Sequence, residues 1–204
     1  MITAEQATVT LDGITLLPPT DLDVARGAVC VLRGRNGSGK TTLLTLVAGR
    51  RRPTEGTVRV ADEEADDRSR QFRERVAGLL DPPPIARDLT VREQLSLIAL
   101  TWASAAPEVA ADTELARWGI EELATRFPHE LSSGQRRLFH LATTWIRPAE
   151  IVILDEPEQR LDDDRRHRLI ANIDARRRAG TTFLIASHDD DVEQAADVVV
   201  RIAT

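Results

Sequence analysis

The sequence predicts an α/β fold with a mostly parallel central sheet, an antiparallel β layer near its N-terminus and a helical insertion between two core strands. Three observations predict it. Short, almost uncharged apolar runs alternate with longer helical stretches, the pattern of buried parallel strands joined by helices. The earliest runs alternate in period two around Asp12-Gly13, a dipeptide that favours a hairpin turn. A glycine-rich loop at 34–41 stands directly between an apolar run and a helical one.

Taken in order, Thr8–Leu11 alternates and leads into the Asp12-Gly13 turn, and Thr57–Val60 alternates after the turn-like Pro53-Thr54-Glu55-Gly56. These are the expected strands of the antiparallel layer. Ala28–Leu32, Val76–Leu80, Ile151–Leu154 and Thr182–Ala186 are the expected buried strands of the parallel sheet. Helical patterns run over about 40–49, 90–103, 108–118, 133–146, 162–179 and 189–196. Pro82-Pro83-Pro84 must be a loop, because proline gives the backbone no donor. The expected organisation is one domain over 1–204, with a core of 1–80 and 148–204 and a helical insertion over about 85–147.

Composition narrows the function. With 27 Lys+Arg against 33 Asp+Glu the net charge is −6, which gives no support to nucleic-acid binding through a basic surface. A single cysteine, Cys30, excludes an internal disulfide and a cysteine-rich zinc site. Aromatics are 3% and tyrosine is absent, so the core must be built of Leu, Val, Ile and Ala. The first residues lack the basic and apolar regions of a secretory signal, and no apolar run approaches the ~20 residues of a membrane-spanning helix. The expected location is cytoplasmic. The runs Arg50–Arg52, Arg165-Arg166 and Arg176–Arg178 read as solvated faces, the last suited to a helix C-terminus.

Gly34-Arg35-Asn36-Gly37-Ser38-Gly39-Lys40-Thr41 fits G-x-x-x-x-G-K-[ST] directly after a buried strand and directly before the helical run Thr42–Ala48. Position matters as much as composition, since backbone N–H groups and a helix N-terminus together make the anion site. Lys40 supplies a point charge to the β- and γ-phosphates and Thr41 a hydroxyl to Mg²⁺. Ile151–Leu154 ends in Asp155-Glu156. Four apolar residues put these carboxylates at the carboxyl edge of the sheet, where α/β ligand sites form. Asp155 suits a Mg²⁺ ligand, and Glu156 suits the base that polarises an attacking water.

With the loop 34–41, Leu131-Ser132-Ser133-Gly134-Gln135, the strand end 151–157, Leu161-Asp162 and Ser187-His188 in this order, the chain resembles the nucleotide-binding subunit of an ATP-binding cassette (ABC) transporter over nearly its whole length. Segment 131–135 is the most specific of these. It departs from the family's L-S-G-G-Q only at Ser133. Serine hydroxyls and a glycine at the start of a helix also make an anion site on physical grounds.

The resemblance implies a P-loop NTPase that binds ATP with Mg²⁺ and works as a homodimer or heterodimer. Ser132, Ser133, Gly134 and Gln135 of one subunit then cap the γ-phosphate held by the other. It further implies that His188 contacts the γ-phosphate, that Asp162 lies in a segment crossing the dimer interface, and that a separate membrane permease docks on the ATPase. The chain is then peripheral on the inner face of the cell membrane, with no nucleic-acid partner. His129, His140 and His167 have no such support and read as structural.

Two departures from the family bear on activity. Asp81 stands where the family carries a glutamine that links Mg²⁺ and water to the membrane partner; a carboxylate there can still ligate metal but adds negative charge beside the γ-phosphate. The family stacks adenine on an aromatic residue in the N-terminal layer, whereas 5–17 holds none, and Leu11 or Leu17 is the nearest substitute. Two alternatives stay open: an ATP-binding regulatory or assembly module with little turnover, and a non-transport ABC ATPase.

Overall fold

The computed structural model describes residues 1–202, and they form two compact units.

The first unit comprises Met1–Leu80, Ala149–Glu156 and the chain from Ile173 onward. It holds two sheets. An antiparallel sheet is ordered β2-β1-β4-β5, from β1 (Ile2–Leu11), β2 (Ile14–Val24), β4 (Glu55–Val60) and the two-residue β5 (Glu63–Glu64). β1 and β2 meet at Leu11↔Ile14 around the expected Asp12-Gly13 turn. The sequence shows no strand at 14–24, because Pro18 and Pro19 interrupt it. β2 forms nonetheless because it is an edge strand, where a missing N–H costs no ladder bond.

The second sheet has the order β6-β7-β8-β3-β9 and every pairing in it is parallel. Its strands are β3 (Val29–Arg33), β6 (Val76–Leu79), β7 (Ile151–Asp155), β8 (Thr182–Ala186) and β9 (Val198–Arg201). Four of the five fall on the apolar runs expected to form them. β9 is the addition; its Val198 and Val199 are half exposed at the edge, so no buried run marks it. Cys30 sits in β3 with no exposure, and burial pushes its thiol up to about 12.

Helix α1 (Lys40–Val47) contacts strands of both sheets and buries Leu43, Leu44, Leu46 and Val47 completely. Each such side chain contributes roughly 1.5–3 kcal/mol of apolar burial. The same unit contains α2 (Arg70–Arg75), where only Phe72 is buried, and α7 (Asp190–Gln194).

The second unit comprises Asp81–Pro148 and Pro157–Asn172. It therefore takes in 157–172 besides the expected insertion at 85–147. α3 (Val91–Thr101) starts at a Thr90/Glu93 capping box, and α4 (Pro107–Trp118) has Pro at its first position and Gly119 at φ 61° beyond its end. These are ordinary start and stop signals. α5 (Ser133–Trp145) packs on α3 and α4, and the indoles of Trp118 and Trp145 meet edge-on at 5.1 Å. α6 (Asp163–Arg178) begins in this unit and continues into the first. Pro82–Pro84 lie outside regular structure, as proline requires.

Candidate functional site

The phosphate loop of the first unit links the carboxyl end of β3 to the N-terminus of α1. Gly39 caps α1 at φ 103° with no side-chain hydrogen bond, so the helix start presents bare N–H groups. Only glycine fits there, since a Cβ would lie 2.7 Å from the Leu16 carbonyl oxygen. The Lys40 ammonium is buried and donates to the carbonyls of Gly34 at 2.7 Å and Arg35 at 3.1 Å. Ser38 Oγ is buried with no hydrogen-bond partner. An orphaned hydroxyl, a buried ammonium and an uncapped helix start within one loop fit an anionic ligand. Asn36 and Gly37 are exposed at the tip of the turn, and Thr42 lies in the first turn of α1.

β7 delivers the two carboxylates. Thr41 Oγ1 donates to Asp155 Oδ2 at 2.7 Å, which brings together two of the three residues expected to hold metal. Among the described residues no group of three His, Cys, Asp or Glu side chains is placed to hold an ion. The donor set is thus hard oxygen and sparse, which suits Mg²⁺, an ion that takes one or two protein ligands and completes its shell from phosphates and water. The third residue, Asp81, follows β6 and opens the second unit.

Glu156 holds a left-handed backbone at φ 45°, pinned by its N–H donating to the Ala186 carbonyl at 2.8 Å. A non-glycine residue in that region costs of order 1 kcal/mol, and such strain concentrates at functional sites. The Glu156 side chain lies beside His188, whose Nε2 is 3.7 Å from Glu156 Oε1. His188 itself stands between β8 and α7. Ser187 N–H donates to the Leu32 carbonyl at 3.4 Å, Ser187 Oγ accepts from Asp189 N–H at 3.0 Å, and Asp189 caps α7 by accepting from the N–H groups of Asp191 and Val192.

Sequence reasoning missed one element of this neighbourhood. Arg33, the last residue of β3 and the one before the loop, pairs with both Asp190 and Glu193 of α7. Burial works against its charge, but the bonds to the two carboxylates outweigh burial and hold the guanidinium above its ordinary pKa. The available signal was a lone arginine ending the apolar run Val29–Leu32.

Of the two residues named as substitutes for an aromatic base platform, Leu17 is fully buried. Leu11 is 52% exposed and pairs across the hairpin with Ile14 at 65%. The hairpin therefore offers an aliphatic ledge.

In the second unit, Ser132 caps α5 through a capping box: Gln135 N–H donates to Ser132 Oγ at 3.3 Å, and Ser132 N–H donates to Gln135 Oε1 at 3.0 Å. Ser133 is exposed at the helix start. Gly134 is buried against the 160–165 segment, where a Cβ would stand 2.8 Å from Arg165 Nη1 and 3.0 Å from the Arg160 carbonyl. Its small size thus has a packing reason within the chain. Asp162 Oδ1 accepts from Arg165 N–H at 3.0 Å, at the start of α6.

The chain is similar to known proteins over most of its length. The model of the ABC transporter family matches residues 17–159. A putative ABC transporter ATP-binding protein of Streptomyces coelicolor is 36% identical over 89% of the chain and 66% of its own length. The macrolide export ATP-binding/permease protein MacB 1 of Aeromonas hydrophila is 29% identical over 93% of the chain but only 30% of its own length. The chain thus spans under two thirds of each of these relatives. Among solved structures, the ATP-binding cassette MJ0796, a dimer bound to ADP and Pi, superposes with a TM-score of 0.88 over 99% of this chain and 94% of that one, at 21% identity. At that identity the likeness concerns the fold.

Proposed function

The chain belongs to the ABC transporter family, and from that premise we propose that it binds and hydrolyses ATP to power a membrane permease, acting as an ATP-sandwiched dimer at the inner face of the cell membrane. Among the described residues no helix is long and apolar enough to cross a membrane. On this reading the membrane-spanning part belongs to a partner. Import or export, and the substance moved, depend on that partner.

The observation that carries the reading is the convergence in one unit of Lys40, the Thr41–Asp155 pair and the Glu156–His188 pair at the carboxyl ends of β3, β7 and β8. The loop 34–41 and the uncapped start of α1 receive the β- and γ-phosphates, with Lys40 moving from the carbonyls of Gly34 and Arg35 to phosphate oxygen. Thr41 and Asp155 would hold Mg²⁺, which would supply positive charge against the phosphates. Glu156 takes the proton of the attacking water, and His188 senses the γ-phosphate beside it.

Ser132, Ser133, Gly134 and Gln135 of a second copy close over the nucleotide, and Asp162 lies at that seam. Asp81, in the place of the family's glutamine, tunes metal and coupling. The exposure of Ser133 at the start of α5 supports the capping role.

Lys40→Ala tests the premise. Binding of a fluorescent ATP analogue should be lost, and micromolar affinity retained in that variant would remove the phosphate-loop assignment. A second reading, an ATP clamp with little turnover, draws support from Asp81 and from the aliphatic ledge at Leu11. Tight ATP binding without phosphate release, both alone and with the permease, would favour it.

A further inference from the structure

Helix α7 has five residues, too few to be stable alone, and its anchors at Asp189 and Val192 have no route to the phosphate loop. Asp189 caps it from within, and Val192 buries itself. A further anchor is Arg33. Its Nε donates to Glu193 Oε2 and its Nη2 to Asp190 Oδ1. The Arg33 side chain is 13% exposed, Glu193 24% and Asp190 85%. The Glu193 contact is therefore the partly desolvated, energetically significant one, while solvent screens the Asp190 contact.

Glu193 is also held on its other oxygen, since Arg201 Nη2 donates to Glu193 Oε1 at 3.1 Å. Arg33 and Arg201 are register partners in the β3–β9 ladder. Two like charges side by side on a sheet repel, and the Glu193 carboxylate between them offsets that repulsion. The Arg33 backbone is equally fixed: its carbonyl accepts from Ile202 N–H at 2.8 Å, and Gly34, the next residue, carries the carbonyl to which Lys40 donates. One residue thus joins the loop that receives phosphate to the helix that begins just after His188.

We propose that Arg33 is a positioning residue: through Glu193 and Asp190 it holds α7 in place and so sets His188 at Glu156. It touches no reacting atom. Without its guanidinium, the carboxylates of Asp189, Asp190, Asp191 and Glu193 crowd in and beside one turn, with Arg201 still on Glu193 Oε1 but the charge of Arg33 on Glu193 Oε2 and Asp190 gone. Their repulsion pushes the start of α7 outward, and His188, joined to it by a single residue, moves with it. The catalytic part of this inference rests on the function proposed above; the placement of His188 does not.

The test follows both parts in Arg33→Met and in the isosteric Glu193→Gln, which keeps the matter decidable should the first variant fail to fold. In protein labelled at its four histidines, the His188 ring resonances, assigned through His188→Ala, should shift or broaden in both variants while those of the other histidines stay put. In ATPase assays kcat should fall between about ten- and a hundredfold with KM for ATP little changed, and Arg33→Lys should recover much of the loss. In the His188→Ala background Arg33→Met should have no further effect on kcat, because residues acting through one another are not additive. Unmoved His188 resonances overturn the proposal, as do losses that multiply in the double variant or a loss confined to KM. Shifted His188 resonances in a protein that turns over no ATP uphold the positioning role and reject the hydrolytic reading.

Discussion

Thr41 and Asp155 are joined by a 2.7 Å hydrogen bond that ties the phosphate loop to the end of β7. The same two oxygens are the proposed Mg²⁺ ligands, so metal binding must break or bridge this bond. Asp155→Asn keeps an acceptor for Thr41 but removes the charge. It should leave ATP binding in EDTA nearly intact, abolish the gain in affinity that Mg²⁺ brings, and reduce turnover at least roughly a hundredfold. Titration with and without Mg²⁺ checks it; an undiminished Mg²⁺ effect would exclude Asp155 as a ligand.

Glu156→Gln should bind ATP as the parent does and accumulate as an ATP-bound dimer on size-exclusion chromatography. Phosphate release should drop by roughly 10²–10⁴-fold, the usual contribution of a general base. Unchanged release would assign the base elsewhere.

Gly134→Ala forces a methyl to within 2.8 Å of Arg165 Nη1 and 3.0 Å of the Arg160 carbonyl. The arginine end can swing aside, while the carbonyl is backbone and must shift. The expected cost is about 1–3 kcal/mol, read as a lower Tm, and Arg165→Ala should recover only part of it. Full recovery would mean that the side chain alone sets the limit.

His140 is buried with Nε2 unpartnered, and burial foremost, then the Arg137 and Arg136 charges, lowers its pKa from 6.5 to about 4. The unfolded chain binds this proton more readily, so stability is full above pH 6.5 and falls as pH drops toward 4. The contribution is on the order of 3 kcal/mol. Denaturant midpoints between pH 7 and pH 4 should decline more steeply in the parent than in His140→Leu. Equal slopes would show that His140 carries none of the acid sensitivity.

Much of the first unit is legible in the sequence, because its strands are buried on both faces and read as apolar runs. The run Thr182–Ala186 coincides with β8, and Val76–Leu80 with β6 but for one residue. Capping chemistry is local and equally legible, as the Ser132/Gln135 box illustrates. What stayed hidden depends on tertiary context. Pro18-Pro19 masks β2, whose strand character is permitted only by its edge position. Arg70–Arg75 buries one side chain and has no apolar period to betray α2. The tie from Arg33 to Glu193 joins positions 160 residues apart, and no local pattern announces it. Gly134 has a packing reason of its own, making room for Arg160 and Arg165, that no local pattern shows.

The solitary thiol of Cys30 lies sealed inside β3 and titrates near 12. At neutral pH it is neither ionised nor reachable, so alkylating dyes and cross-linkers should pass it by. A reporter cysteine placed on any solvent-facing position would then be the sole labelled atom, with no need to engineer the native sulfur away. Spectroscopic rulers or spin probes could follow two copies closing on one another in the otherwise unaltered polypeptide.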